Sequence, residues 1–349
     1  MTTSLLRTLK TIRRRNHSQK GFTLIELLIV TIIAGGIVSG LMFLVVELLA
    51  ADQRDASRNA TQQDMQRSME YMSNELREAV YVYPGNLLNR IVTENRLPPS
   101  LTQNSTPVIA FWRQAPLPRG VLNYCSTNWQ SQDENGDPPI VDSARQAIPC
   151  AAGHAYSLIV YSLDTAGGSD TGGPWTGQAR ITRYELRPYN DSSGRQQPAP
   201  VQGYVSPIVG PRNLFAIWPR DVDETDRQRG RGRPSGAAVP LTDFVDRNRS
   251  EETTPTCPSN YSISPLNPPD SFYACVRTGS PNPPPAASPS PSPRPRAASD
   301  TIENQEVILY LRGNGLGRPS ITENGNNAYR PTLTTRVFNR GTLDVNPNN

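Results

Sequence analysis

The stretch from Phe22 to Ala51 (FTLIELLIVTIIAGGIVSGLMFLVVELLAA) is nearly all apolar. A helix needs about 20 apolar residues to cross a bilayer, so this one is long enough. A cluster of Arg7, Lys10, Arg13, Arg14, Arg15 and Lys20 stands just before it, and Asp52 and Asp55 follow it. The positive-inside rule then places the N-terminus in the cytoplasm and everything after residue 51 outside.

Two ordinary explanations compete for this pattern. A secretory signal also begins with basic residues, but its cleavage site follows the apolar stretch and is marked by small residues. Here the small residue, Gly21, comes before the stretch. A plain signal-anchor helix accounts for the hydrophobicity and the charge bias but not for Glu26. A carboxylate at that depth costs several kcal/mol if unpaired, which makes an intramembrane acid a functional hypothesis by default. Protonation would neutralise it, and so would a partner's positive group, such as an N-terminal amine freed by a cut after Gly21.

The segment Lys20-Gly21-Phe22-Thr23-Leu24-Ile25-Glu26-Leu27-Leu28-Ile29-Val30 resembles the processing site of type IV prepilins and type II secretion pseudopilins. The resemblance implies that prepilin peptidase, a membrane aspartyl enzyme, cuts after Gly21 and N-methylates the new terminus at Phe22. It also implies that Glu26, the fifth mature residue, guides the subunit into a filament by pairing with a neighbouring subunit's amine. The motif is specific, although it is short against a chain of 349 residues.

No Pro or Gly interrupts residues 51–83, and Ala56, Ala60, Met65, Met69, Met72, Leu76, Ala79 and Tyr83 make one stripe at helical spacing. Pro84-Gly85 breaks the pattern. A helix from Phe22 to Tyr83 has 62 residues, or about 90 Å at 1.5 Å each. Gly36 and Gly40 form a small-xxx-small pair suited to close helix approach, while the same glycines and Gly35 weaken the helix locally. The chain therefore divides into a basic leader at 1–21, a transmembrane half-spine at 22–51, an amphipathic half-spine at 52–83 and a head at 84–349.

The head reads as short strands between long loops. The candidate strands are Val108–Arg113, Ala155–Leu163, Ala179–Leu186, Phe272–Arg277, Glu306–Arg312 and Leu333–Asn339, all rich in β-branched and aromatic residues. No helical pattern is expected after residue 85. A sheet packed on the second half of the spine gives an α+β fold. The Pro/Ser-rich stretch 281–296 reads as a low-complexity excursion and the Arg/Gly run 227–236 as a solvated loop. Within the resembled family, the size and the late VILYLRGN segment are most like the large minor subunits, the J-type pseudopilins and W-type minor pilins.

Cys125 and Cys150 form one local pair and Cys257 and Cys275 another. Two disulfides are the natural reading outside the cytoplasm, although four cysteines allow three pairings. The spacings are not those of a zinc site. Asp133, Asn135 and Asp137 share the alternate spacing that opens a calcium loop, but the later residues of that loop are absent, and a polar turn is the plainer reading. Asp221, Asp223, Glu224 and Asp226 form a second acidic cluster, read as surface. His154 has no catalytic motif around it, there is no GxSxG, and a body without lysine excludes a phosphate-binding GxxxxGK[ST] loop. Six of the 35 Lys and Arg residues lie in the leader, leaving 29 against 31 acids, so net charge gives no support for nucleic-acid binding.

The expectation is thus a non-enzymatic pilin or pseudopilin subunit without a cofactor. It would be held in the inner membrane by one span before entering a filament, with prepilin peptidase, other pilin subunits and lipid as partners. The alternatives are an exported adhesin, a polysaccharide-export pseudopilin, or an unrelated ectodomain on a pilin-like anchor. Because Gly21 lets an extended backbone come close to the peptidase, Gly21→Val should leave an uncut precursor of higher mass. Mass spectrometry of the native protein should find Phe22 as its first residue.

Overall fold

The computed structural model describes residues 21–129, 140–143, 146–165, 175–191, 196–209, 212–247, 255–278, 305–321 and 329–339. The leader, the calcium-loop candidates at 133–137 and the Pro/Ser-rich stretch 281–296 lie outside the described residues. The chain divides into two compact units, Met1–Asp52 and Gln53–Asn349. One helix, α1 (Leu24–Arg77), contributes to both.

Every described residue of the first unit up to Leu49 is exposed. This part of α1 is long and apolar enough to cross a membrane. The helix runs without a break through Gly35, Gly36 and Gly40.

In the second unit α1 turns amphipathic. Met65, Met69, Met72 and Leu76 recur every three or four residues and are buried. The helix ends at Arg77, six residues short of the Tyr83 expected from the stripe. Ala79–Val82 is instead β1, antiparallel to β2 (Ser105–Pro116). Val80 and Val82 are β-branched, and the cross-strand partner they meet outweighs the helical spacing of Ala79 and Tyr83.

Two further helices depart from the expectation of none. Gly85–Thr93 is α2, which opens after Pro84 and turns Leu88 and Ile91 inward. Its signal was a proline at the start and apolar residues at Leu87, Leu88, Ile91 and Val92. A Cβ on Gly85 would lie 1.8 Å from the Ile263 carbonyl oxygen, so only glycine allows this close approach. Arg119–Trp129 is α3, whose Gly, Asn, Ser and Thr content disfavours a helix on propensity alone. Buried Val121 and Cys125 hold it in place.

The remaining strands are β3 (His154–Asp164), β4 (Ala179–Leu186), β5 (Ile208–Val209), β6 (Arg212–Asn213), β7 (Val239–Val245), β8 (Tyr261–Ser264), β9 (Phe272–Arg277), β10 (Glu306–Arg312) and β11 (Thr332–Phe338). They make an antiparallel sheet of order β1-β2-β3-β4-β7, a second of order β11-β10-β9-β8, and a β5-β6 ribbon. The six expected strands are all present, and the whole is an α+β fold. The Met face of α1 packs with Ile109, Phe111, Ile159 and Ile181 of the first sheet and Phe272, Ala274, Val307 and Leu309 of the second. The opposite face of the first sheet buries Trp112, Leu158 and Val160 under α2 and a loop carrying Tyr204, Phe215 and Trp218. Burial on both faces explains why β2 and β3 read as continuous apolar runs rather than alternating strands.

A polar joint fastens the end of α1 to the first sheet. Glu75 is buried, and Arg183 donates to it twice, Nε to Oε2 at 2.9 Å and Nη2 to Oε1 at 2.8 Å. The Tyr161 hydroxyl also donates to Oε2, and Arg113 lies 3.3 Å from Oε1. Glu185 accepts from Arg183 at 3.0 Å and Arg187 at 2.9 Å. Burial alone would weaken the Arg183 charge, but the hydrogen bonds and charge of Glu75, joined by Glu185, raise its pKa above the ordinary arginine value. Burial likewise opposes ionisation of Glu185, yet the Arg187 hydrogen bond and the Arg183 charge hold it below the usual carboxylate range.

Met72→Ala should destabilise the second unit by about 2–5 kcal/mol through the cavity it leaves. Tyr71→Ala, next to it but exposed, should stay within about 0.5 kcal/mol. Urea unfolding of the two variants in detergent checks the pair. A carboxyl whose pKa is lowered on folding stabilises above its unfolded value, about 4.3 for Glu, and that contribution is lost as pH falls through the folded value. Glu185→Gln should therefore lower the urea midpoint at pH 7 and lose less than the wild type between pH 5 and pH 3.

Candidate functional site

The sequence points to the first turn of α1. Gly21, Phe22 and Thr23 are not helical, and the helix starts at Leu24. Thr23 caps it. Its Oγ1 accepts from the Glu26 N–H at 3.3 Å, and its carbonyl accepts from the N–H groups of Glu26 and Leu27 at 3.0 and 3.1 Å. The first N–H groups of a helix have no partner inside it, and a threonine hydroxyl satisfies one of them.

Sequence reasoning missed Thr23, although its signal was present. Thr23-Leu24-Ile25-Glu26 has the S/T-x-x-E spacing of a capping box, with Glu26 at the third helical position. The cap fixes where the helix begins and leaves the Gly21–Phe22 bond in non-helical, exposed backbone, with Phe22 80% exposed.

Glu26 lies in that first turn, where the positive end of the helix dipole favours a negative group. Its carboxylate makes no hydrogen bond or ion pair with a described residue. Further along, the Thr31 hydroxyl donates to the Leu28 carbonyl at 2.8 Å, so this polar group is satisfied within the helix. A Cβ added at Gly35, Gly36 or Gly40 would meet nothing within 4 Å. That side of the apolar helix is smooth and open to close packing.

The other residues singled out in the sequence fall away from this turn. Cys125 is bonded to Cys150 and Cys257 to Cys275, with Cα–Cα separations of 5.6 Å in both. The first bond ties α3 to the chain entering β3, and the second ties an irregular segment to β9. Among the described residues no group of His, Cys, Asp and Glu is placed to hold a metal ion. His154 opens β3, with Nδ1 2.7 Å from the Ala152 carbonyl oxygen.

The acidic cluster at 221–226 is a turn whose carboxylates mostly take backbone N–H groups: Asp221 from Val222 and Asp223 from Thr225. Asp226 accepts from the Gln228 N–H and also pairs with Arg96 at 2.7 Å; burial opposes its charge, but the Arg96 hydrogen bond lowers its pKa. The Arg/Gly run that follows is irregular but not solvated along its length. Arg227 donates to the Ser206 carbonyl, Arg233 to that of Leu97, and Gln228 is buried. These residues fasten loops to α2 and its exit.

The geometry therefore concentrates on an exposed Gly21–Phe22 bond, a capped helix start and an unpartnered acid one turn in, at the head of a span-length apolar helix. Residues 16–42 match the family model of the prokaryotic N-terminal methylation motif. No curated protein and no solved structure matches the chain. The motif and the single apolar helix near the N-terminus fit a type IV pilin-like protein of the inner membrane, and the motif implies processing by prepilin peptidase and assembly with other pilins.

Proposed function

We propose that the chain is a minor pilin or pseudopilin, a structural subunit or initiating tip of a type IV pilus or a type II secretion-like pseudopilus. Prepilin peptidase cuts it after Gly21 and methylates Phe22, and the basic leader keeps the N-terminus cytoplasmic while the head lies outside. The head is non-enzymatic and its size is that of a J- or W-type subunit. The observation that carries this reading is the placement of Glu26 in the first turn of a span-length helix, just past a Gly–Phe bond left outside it.

In the resting monomer Glu26 has no partner from the described chain. In a filament core, the amine of a neighbour's Phe22 supplies a charge of the opposite sign at the matching depth. An ionic match replaces an isolated acid there and sets the axial register between subunits, a well-attested use of a buried polar group. An ectodomain merely anchored by such a helix has no need of this acid.

Glu26→Ala should insert normally, since it makes the span more apolar, and should still be cut after Gly21. It should accumulate in the membrane and be missing from sheared filaments. Glu26→Gln keeps the shape without the charge and should fail likewise if the match is ionic. Immunoblots of sheared and membrane fractions check both variants. Native levels of both in filaments would favour the anchored-ectodomain reading.

A further inference from the structure

The second unit buries its large apolar side chains with few exceptions. Among its described residues three aromatic side chains are exposed, Tyr71, Trp175 and Phe338. Two of the three wall one cleft of about 510 Å³, within the range of ligand sites, between α1 and the edge strand β7. Tyr71 is 44% exposed and Trp175 37%, and Leu241 and Phe244 of β7 line the cleft with them.

These walls are held in place. Ala179 pairs with Val245 and Ile181 with Thr242, so Asp243 and Phe244 bulge opposite Arg180 alone. Phe244 has a φ of 60°, uncommon for a bulky residue. The Arg318 guanidinium lies 4.0 Å from its ring centroid, and Asp64 pairs with Arg318. Asp243 Oδ2 accepts from the N–H groups of Thr176 and Gly177 at 3.1 and 2.9 Å, which fixes the backbone beside Trp175.

The polar groups within reach are donors. Tyr71, Trp175 and Arg67 are exposed, and the hydroxyl, the indole N–H and the guanidinium make no hydrogen bond or ion pair with a described residue. The two carboxylates are engaged, Asp64 by Arg318 and Asp243 by backbone. Aromatic faces edged with donors match a ligand of apolar rings and free carbonyls. Proline-rich chain has both, since its nitrogens carry no hydrogen and its carbonyls have no internal partner. Aromatic-lined grooves are a general mode of recognising it.

The chain carries one such segment itself. Residues 281–296 hold eight prolines and no acid. They belong to the stretch 279–304, which starts after β9 and ends before Gln305 at the foot of β10. At about 3.1 Å per residue half of that stretch reaches about 40 Å, against about 37 Å for α1 from Gln53 to Arg77.

We propose that residues 281–296 dock in the Tyr71–Trp175 cleft of the same chain. Proline rings lie on the two aromatic side chains, and the indole N–H and the Tyr71 hydroxyl donate to proline carbonyls. The contact is independent of entry into a filament.

The test places p-benzoylphenylalanine, which bonds under light to whatever lies against it, at position 71 of the full chain in detergent. Mass spectrometry of the digested protein should find residues 281–296 as the main capture site. Trp175→Ala should cut that yield about tenfold, and so should alanine at the eight prolines with Arg294 and Arg296 kept. Near-ultraviolet circular dichroism verifies that each variant folds. In an equal mixture of ordinary and isotope-labelled chains, the links should join like with like. Capture of another segment, a yield unmoved by either variant, or mixed-label links, which would give the cleft to a second copy, would overturn the proposal.

Discussion

The bidentate grip of Arg183 on Glu75 is the constraint on which the second unit is arranged. It sets α1 against the first sheet in rotation as well as in height, because both carboxylate oxygens are spoken for. The methionine stripe alone would not do this. Met65, Met69 and Met72 are flexible side chains that tolerate sliding. The paired charges do not, since a small shift leaves a guanidinium buried without its acid. Fixed register then allows the second sheet to close over the other flank of the helix.

Two acids on one helix thus live in opposite circumstances. Glu75 is enclosed by Tyr161, Arg183 and Arg113. Glu26 has no such company within the described chain and lies where only the helix N-terminus favours it. The first is satisfied by folding. The second finds no partner among the described residues, so the helix C-terminus is a joint and its N-terminal turn is not.

How much was legible follows from where the signals are local. The apolar run, the basic leader and the position of Glu26 are written in consecutive residues, and so are the β-branched strands. β1 was misread because Ala79 and Tyr83 keep the helical spacing, and only the partner strand, far along the chain, decides against it. α3 was invisible because its composition argues against a helix that its packing and a disulfide enforce. β7 is interrupted by Pro240 at an edge position, and β8 is only four residues long, so neither announces itself as a strand. The polar joint assembles from four separate segments, so no spacing in the sequence could have shown it. Thr23 and α2 are the omissions that local reading could have avoided.

The pairing of β9 with β10 has a consequence for how this chain tolerates change. Val276 lies directly across from Val307, and Leu311 from Phe272. The two ends of the intervening segment are therefore clamped side by side by the sheet itself, and β11 and β8 hold that clamp from either flank. For a segment closed in this way the entropic penalty grows only with the logarithm of its length, about 0.6 kcal/mol for each doubling. The length of chain between the two strands therefore weighs little on the stability of the sheet that joins its ends. The sheet thus fixes the pairing of β9 with β10, and with it the surface on which the helix rests, whatever the length of chain that joins the two strands.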